Sequence, residues 1–498
     1  YAESQDGNIA RRNLRTGEFA PVRPRDPQGK PPYRFNWNTP FILSNHNSYI
    51  LYCGGNYVFR SVDRGDHLEI VSPEITVTKQ GSATTIAESP KNPDVLYAGT
   101  DDGALWITRD AGKNWAQIEK NVGLPGPRWV ATIEPSRYVE SRAYVVFDGH
   151  RSNDDDPLVY VTEDYGKTWK SLKANLPWGS SRCLREDIVN PNVLYLGTEF
   201  GAWCSLDRGK MWNKLGDNLP TVAVHEFAQH PANGEIVAAT HGRSLWVLDI
   251  SALRQVKAEN LAGAPALYEP SAVVRWRVEP SHGGTNRRFV GENPTRGAQI
   301  YYSLPKNAEK VELKIVDITG ATLRELPTRK EAGLHVSPWD LRPEARRGSR
   351  AGGAESARGP ERNNARNRGE QPARAGGEQA PQAGGARTAP SGQSESEQTA
   401  SEGGARGGGR RGFAGGGGRR FGGAATVGPG AYRVVLTVDG KEFTQKLQVE
   451  RDPVVADALM AEDVPVLQDE EEEEEEQARG GGAVEERDRD ASDERIHD

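Results

Sequence analysis

One pattern, [ST]-x-D-x-G-x-x-W, returns four times in the first half of this 498-residue chain. The copies are Ser61-Val-Asp63-Arg-Gly65, Thr108-Arg-Asp110-Ala-Gly112-Lys-Asn-Trp115, Thr162-Glu-Asp164-Tyr-Gly166-Lys-Thr-Trp169 and Ser205-Leu-Asp207-Arg-Gly209-Lys-Met-Trp212. Only the first departs, with Leu68 in the Trp place. The aspartates lie 47, 54 and 43 residues apart, and another aromatic (Phe59, Trp106, Tyr160, Trp203) precedes each closing position by nine residues. A unit of this size cannot bury its hydrophobic face alone and must stack on its neighbours. The spacing suits one four-stranded propeller blade.

The chemistry of the motif is conformational. A carboxylate two residues after a hydroxyl accepts the backbone N–H groups of a tight turn, and the Gly takes the positive φ that the turn needs. The Trp is expected to tuck back over the blade core. Thr84–Ser89, Val95–Thr100, Ala104–Thr108 and Ala116–Glu119 read as strands between Pro-Lys-Asn-Pro-Asp and Asp-Asp-Gly turns, and a similar set runs from Leu184 to Leu215. A last set, Val222–Gln229, Ile236–Thr240 and Ser244–Leu248, keeps Trp246 without the motif. Five blades are expected at about 38–78, 82–123, 128–176, 181–220 and 222–250.

This pattern is that of the Asp-box, or BNR, repeat. Asn190-Pro-Asn-Val-Leu-Tyr-Leu-Gly-Thr-Glu-Phe-Gly201 and Ala239-Thr-His-Gly-Arg-Ser-Leu-Trp246 resemble the large bacterial sortilin-like BNR proteins often labelled glycosyl hydrolase. The resemblance covers residues 1 to about 255 and implies an all-β fold with a longer propeller upstream. Asn8–Val22 then reads as the outer strands of a blade whose inner strands are missing, making the propeller incomplete at its N-terminus. The chain opens Tyr1-Ala-Glu-Ser, without initiator methionine or apolar leader, which suggests a mature product or fragment.

After an expected linker at 256–285 the style changes. Val311–Asp317, Leu323–Leu326, Gly333–Arg342, Pro429–Val438 and Phe443–Val449 are short alternating strands with Asp-Gly and Thr-Gly turns, arguing for a small β-sandwich over 286–342 and 426–452. It resembles the Ig-like domain of the FlgD type, in which a Trp-Asp strand is followed by a short loop and a Pro-Gly-x-Tyr strand. Here 83 residues, 343–425, stand in that loop, a tolerable insertion because loop-closure entropy grows slowly with length. That segment holds 22 Gly, 14 Arg and 8 Glu with no Lys or Asp, a net charge of +6. Residues 461–498 hold 17 acids against 4 Arg, a net of -13, including the eight-acid run 469–476. Both read as disordered, the second within an acidic tail from 453. The remaining 377 residues sum to zero, so the overall charge of -7 describes the appendages, and a basic nucleic-acid-binding body is excluded. The two Arg-Gly runs at 406–413 and 419–421 resemble RNA-binding segments, but a solvated loop suits them better.

No run of eighteen apolar residues exists. Cys53, Cys183 and Cys204 form no CxxC and have no His at ligand spacing, so they read as buried free thiols, with no disulfide framework, metal or cofactor expected. In a propeller the 2–3 loops and 4–1 connections gather on one face around the channel, and the motif turns lie on the opposite rim. Asp63, Asp110, Asp164 and Asp207, with Trp115, Trp169 and Trp212, are therefore structural. The functional face is expected to carry Asp101, Asp102, the loop from Asp148 to Asp156, Glu199, His241 and Arg243, joined by Arg128, Trp129, Trp178, Arg182, Arg185 and Glu186. Asp101, Asp102, Asp148 and Glu199 are the candidate catalytic carboxylates, because glycoside cleavage needs paired acids. Acyl and phosphoryl transfer have no motif. The favoured reading is a secreted or envelope-associated scaffold binding peptide, protein or glycan, with the sandwich as an accessory module; the sortilin resemblance implies the peptide or protein ligands. The alternative is a glycoside hydrolase acting on polysaccharide.

Overall fold

The computed structural model describes residues 1–257, 263–276, 296–344 and 426–453. The expected disordered insertion, from 345 onward, and the acidic tail from 454 lie outside the described residues, as do 286–295 of the expected sandwich. The N-terminal half is a β-propeller of consecutive antiparallel sheets. A three-stranded sheet (Ala2–Glu3, Ile9–Arg12, Phe19–Pro21) comes first, then four blades of four strands and one of three. The inner strands of these five blades are Phe41–Leu43, Ala83–Glu88, Trp129–Pro135, Ser181–Glu186 and Val224–Gln229, each of the first four lying against the next blade.

The four motif turns are superimposable in chemistry. In each, the hydroxyl of Ser61, Thr108, Thr162 or Ser205 donates to the aspartate at 2.6–2.9 Å and accepts the Gly N–H at 2.7–3.0 Å. The aspartate also accepts the N–H four residues on, from His67, Asn114, Thr168 or Met211. These bonds hold the Asp110 carboxyl down at about 2, the Asn114 side-chain amide contributing most. The turn needs two left-handed residues rather than one: Arg64, Ala111, Tyr165 and Arg208 share positive φ with the glycines that follow them.

The Trp residues pack on the core of their own blade and also reach the preceding one. Trp115 Nε1 donates to the Val71 carbonyl and Trp212 Nε1 to the Leu172 carbonyl, each belonging to the preceding blade. Trp169 is the exception, its indole N–H buried with no acceptor. The equivalent carbonyl, that of Ile118, accepts instead the N–H of Asn121, where a 3-10 turn (Glu119–Val122) follows the outer strand.

Two further devices join blades. Glu88 accepts Ser44 Oγ and Asn45 N–H, Glu186 accepts Ser136 Oγ and Arg137 N–H, and Gln229 accepts Ile188 N–H, each side chain reaching back one blade. Close approach does the rest: a Cβ on Gly197 would lie 2.2 Å from the Val224 carbonyl oxygen of the next inner strand. All three cysteines are buried free thiols within these interfaces. Burial pushes the Cys53 and Cys204 thiols up to about 12.

The second part packs a three-stranded sheet (Ala266–Leu267, Ala298–Leu304, Gly333–Trp339) on a five-stranded one (Val273–Arg275, Lys441–Arg451, Gly430–Val438, Val311–Val316, Thr322–Leu326). Ile300, Tyr302 and Trp339 from one face Leu313, Val434 and Leu447 from the other. Strands 266–267 and 273–275 come from the stretch expected as a linker and complete both sheets. The strands flanking the long insertion lie in different sheets: Gly333–Trp339 pairs with Ala298–Leu304, whereas Gly430–Val438 lies in the opposite sheet. The Val427 N–H donates to the Leu341 carbonyl at its base. A short helix, Ser251–Gln255, packs Ala252 and Val256 against Tyr268 between the two parts.

Candidate functional site

A repeated irregularity builds the site. In four consecutive inner strands the register slips by one residue near the start, leaving Thr84, Ala131, Arg182 and His225 as the extra residues. Bulges of this kind bend a strand and re-aim one side chain. The backbone device is the same each time, and the residue placed on it differs. Thr84 Oγ1 donates only to backbone carbonyls, those of Gly99 in its own blade and Val130 in the next, and Ala131 offers no polar group. Arg182 and His225, one repeat apart, become the centre of a cluster at the 2–3 hairpin end.

Arg182 gathers two carboxylates. Its Nη1 pairs with Asp148, and its Nε and Nη2 with Glu199, the Nε contact being 2.9 Å. Asp148 is also held by His150, through the backbone N–H at 3.0 Å and Nδ1 at 2.7 Å. Side-chain exposure grades from 5% at Asp148 through 11% at Arg182 to 33% at Glu199, so the ion pairs run from the protein interior to the surface. His225 meets His241, Nε2 to Nδ1, at 3.3 Å. Surrounding protein and then the charge of Arg182 hold the His225 imidazole below the usual histidine range, so it is neutral at pH 7, able both to donate and to accept.

Aromatic rings stand beside these charges. Trp129 pairs with Asp148 in the sheet and carries the Arg151 guanidinium 4.8 Å from its ring. Trp178 and Phe200 are 72% and 55% exposed, and Phe200 packs over Gly179. The Glu199 N–H donates to Ser180 O and the Gly179 N–H to Asp155 O, knitting three loops together. Arg128 grips Asp154 through Nε and Nη2 at 3.0 and 2.9 Å. Arg243 is exposed at the adjoining hairpin, where its carbonyl accepts Trp246 Nε1.

Other expected residues fall elsewhere. Asp101 is taken up by the Ser82 N–H and hydroxyl and by Asn36, and Asp102 by Thr78 and Thr100, so both shape turns of the second blade, outside the cluster. Glu186, grouped with this face in the sequence, sits fully buried at the opposite end of its strand, in the joint to Ser136. Arg185 lies on the inner strand between Glu134 and Glu226, at 3.2 and 2.5 Å. Burial raises the Glu134 carboxyl to about 7 against the opposing pull of Arg185. His225 and Phe200 were missed by the sequence reading. The signal for His225 was its alignment, one repeat on, with Arg182. Among the described residues no group of three or more His, Cys, Asp or Glu is arranged to hold a metal ion.

No family model matches the chain. A curated relative, the probable oligoxyloglucan-reducing end-specific xyloglucanase of Neosartorya fischeri, is 25% identical over 221 residues, 40% of this chain and 26% of the relative. The vacuolar protein sorting/targeting protein 10 of Laccaria bicolor is 31% identical over 85 residues, 16% of this chain and 5% of the relative. Among solved structures, the GH74 xyloglucanase of Xanthomonas campestris superposes with a TM-score of 0.39 at 17% identity, covering 47% of this chain and 39% of that one. The chain thus spans about a quarter of the first curated relative and a twentieth of the second. Among the described residues no helix is long and apolar enough to cross a membrane.

Proposed function

We propose that the hairpin end of the propeller is a carbohydrate-binding face of a secreted or envelope-associated scaffold, with the sandwich, read as FlgD-like, as an accessory module. The observation that carries this reading is the convergence of both surviving candidate carboxylates, Asp148 and Glu199, on the one guanidinium of Arg182. A glycosidase needs two carboxyl groups facing the scissile bond from either side, one to protonate and one to attack or activate water. Acids that spend their lone pairs on a shared arginine instead fix that arginine as a rigid donor. Around it, neutral His225, His241 and the exposed rings of Trp178 and Phe200 supply what a neutral sugar needs, hydroxyl-directed polar groups and flat apolar surface.

The partial match to a xyloglucanase favours a polysaccharide over a peptide as ligand, and it also favours hydrolysis as the second reading. The match to a sorting/targeting protein supports the sortilin-like reading of the repeat. Titrating the full chain with xyloglucan oligosaccharides while assaying for new reducing ends separates the readings. Binding without cleavage, lost on Trp178→Ala, is expected. Cleavage abolished by Asp148→Asn or Glu199→Gln overturns it.

A further inference from the structure

A second site lies at the other end of the blades, in the groove between the third and fourth, with a cavity of about 590 Å³. The corresponding joint between the second and third blades is closed by side chains. There Arg109 stacks on the Tyr165 ring at 3.8 Å, and the Tyr165 hydroxyl donates to Glu140. The motif register puts Glu163 in the place of Arg109 and Arg208 in the place of Tyr165. Glu163 turns back to Arg142 at 3.0 Å, and the equivalent of the Arg109–Tyr165 stack is missing, so the groove stays open.

What lines it is amphipathic. Trp169 and Leu172 form an apolar floor, and Lys170, Arg208 and Lys210 stand exposed on the rim. Among the described residues the side chains of these three cations form no ion pair or hydrogen bond. The one carboxylate lining the groove, Glu163, is paired with Arg142, so the three cations repel one another across it and an anionic occupant relieves that repulsion. The lining distinguishes between anions: the half-buried Trp169 puts aromatic surface at the groove, which suits a sugar ring. The neighbouring outer strand, Lys170–Ser171, has only two residues and offers no run of free backbone groups to an added peptide strand.

We propose that this groove binds an acidic glycan, a chain of uronic-acid residues, independently of the neutral-sugar face at the hairpin end. Carboxylates of the ligand meet Lys170, Arg208 and Lys210 while a ring rests on the Trp169 floor. The test is calorimetric titration of the full chain with oligogalacturonate, with polyglutamate as the acidic-peptide control. Oligogalacturonate is expected to bind, about tenfold more weakly in each of Lys170→Glu and Lys210→Glu and less tightly as salt rises. Both substitutions are on exposed side chains, and unchanged far-UV circular dichroism checks that the fold is kept. Trp178→Ala, at the other end, leaves this binding intact, so failure here is separable from failure of the neutral-glycan reading. Absence of binding, equal binding of polyglutamate, or affinity unaltered by both lysine reversals overturns the proposal.

Discussion

The two ends of the propeller use carboxylates in opposite ways. At the motif end Asp63, Asp110, Asp164 and Asp207 repeat one hydrogen-bond pattern blade after blade, each serving the backbone of its own turn. At the hairpin end the shared device is a one-residue bulge, and the residue it presents changes from Thr84 to Ala131 to Arg182 to His225. What repeats is what a blade needs in order to form. What departs from the repeat is free to differ between blades, and the polar cluster forms only where Arg182 and His225 are neighbours.

The sharpest way to break that comparison is Arg182→Ala. It strands the Asp148 carboxylate in a buried position, and removal of one partner of a buried pair costs about 3 kcal/mol. Chemical denaturation should show this loss together with loss of glycan binding. A stability change well under 1 kcal/mol means that the cluster is a surface feature.

A smaller effect sharpens the contrast within the motif end. Trp115→Phe and Trp212→Phe each delete an inter-blade hydrogen bond, at Val71 and Leu172. Trp169→Phe deletes an indole N–H that has no acceptor. The first two should destabilise by about 1 kcal/mol more than the third, because a buried carbonyl is left unpaired only in those. Equal losses in all three would contradict the assigned role of the 3-10 turn after Ile118.

The smallest effect is confined to a pH window. Glu134 is raised to about 7 by burial, so the folded state holds its proton more tightly than the unfolded chain does. Stability from this group is therefore greatest below its unfolded value of about 4.3 and declines as pH rises toward 7. Glu134→Gln should flatten that decline between pH 5 and 8, measured by midpoint of unfolding. A slope identical to that of the parent chain refutes it.

The repeat made the propeller legible, because four copies of one turn fix the strand order and the end at which each turn lies. It also separated the structural aspartates from the rest. The cluster was only partly legible. Asp148, Glu199 and Arg182 could be assigned to one face from loop order, but their convergence depends on the bulge, a register event that alternation of residue types does not reveal. Glu186 was misplaced for a related reason: six residues of strand, at about 3.3 Å each, carry a side chain from one end of the blade to the other. The reach of Trp115 and Trp212 to the preceding blade was invisible, since one motif is compatible with packing on either neighbour.

The proposal of a glycan-binding hairpin end is tested most directly by titrating xyloglucan oligosaccharides into the full chain and into Trp178→Ala. Trp178 is 72% exposed, so its removal should leave stability within about 0.5 kcal/mol. Saturable binding to the parent chain, absent from the variant and unaccompanied by new reducing ends, is expected. Undiminished binding to the variant, or cleavage that depends on Asp148 or Glu199, contradicts a binding face centred on Arg182.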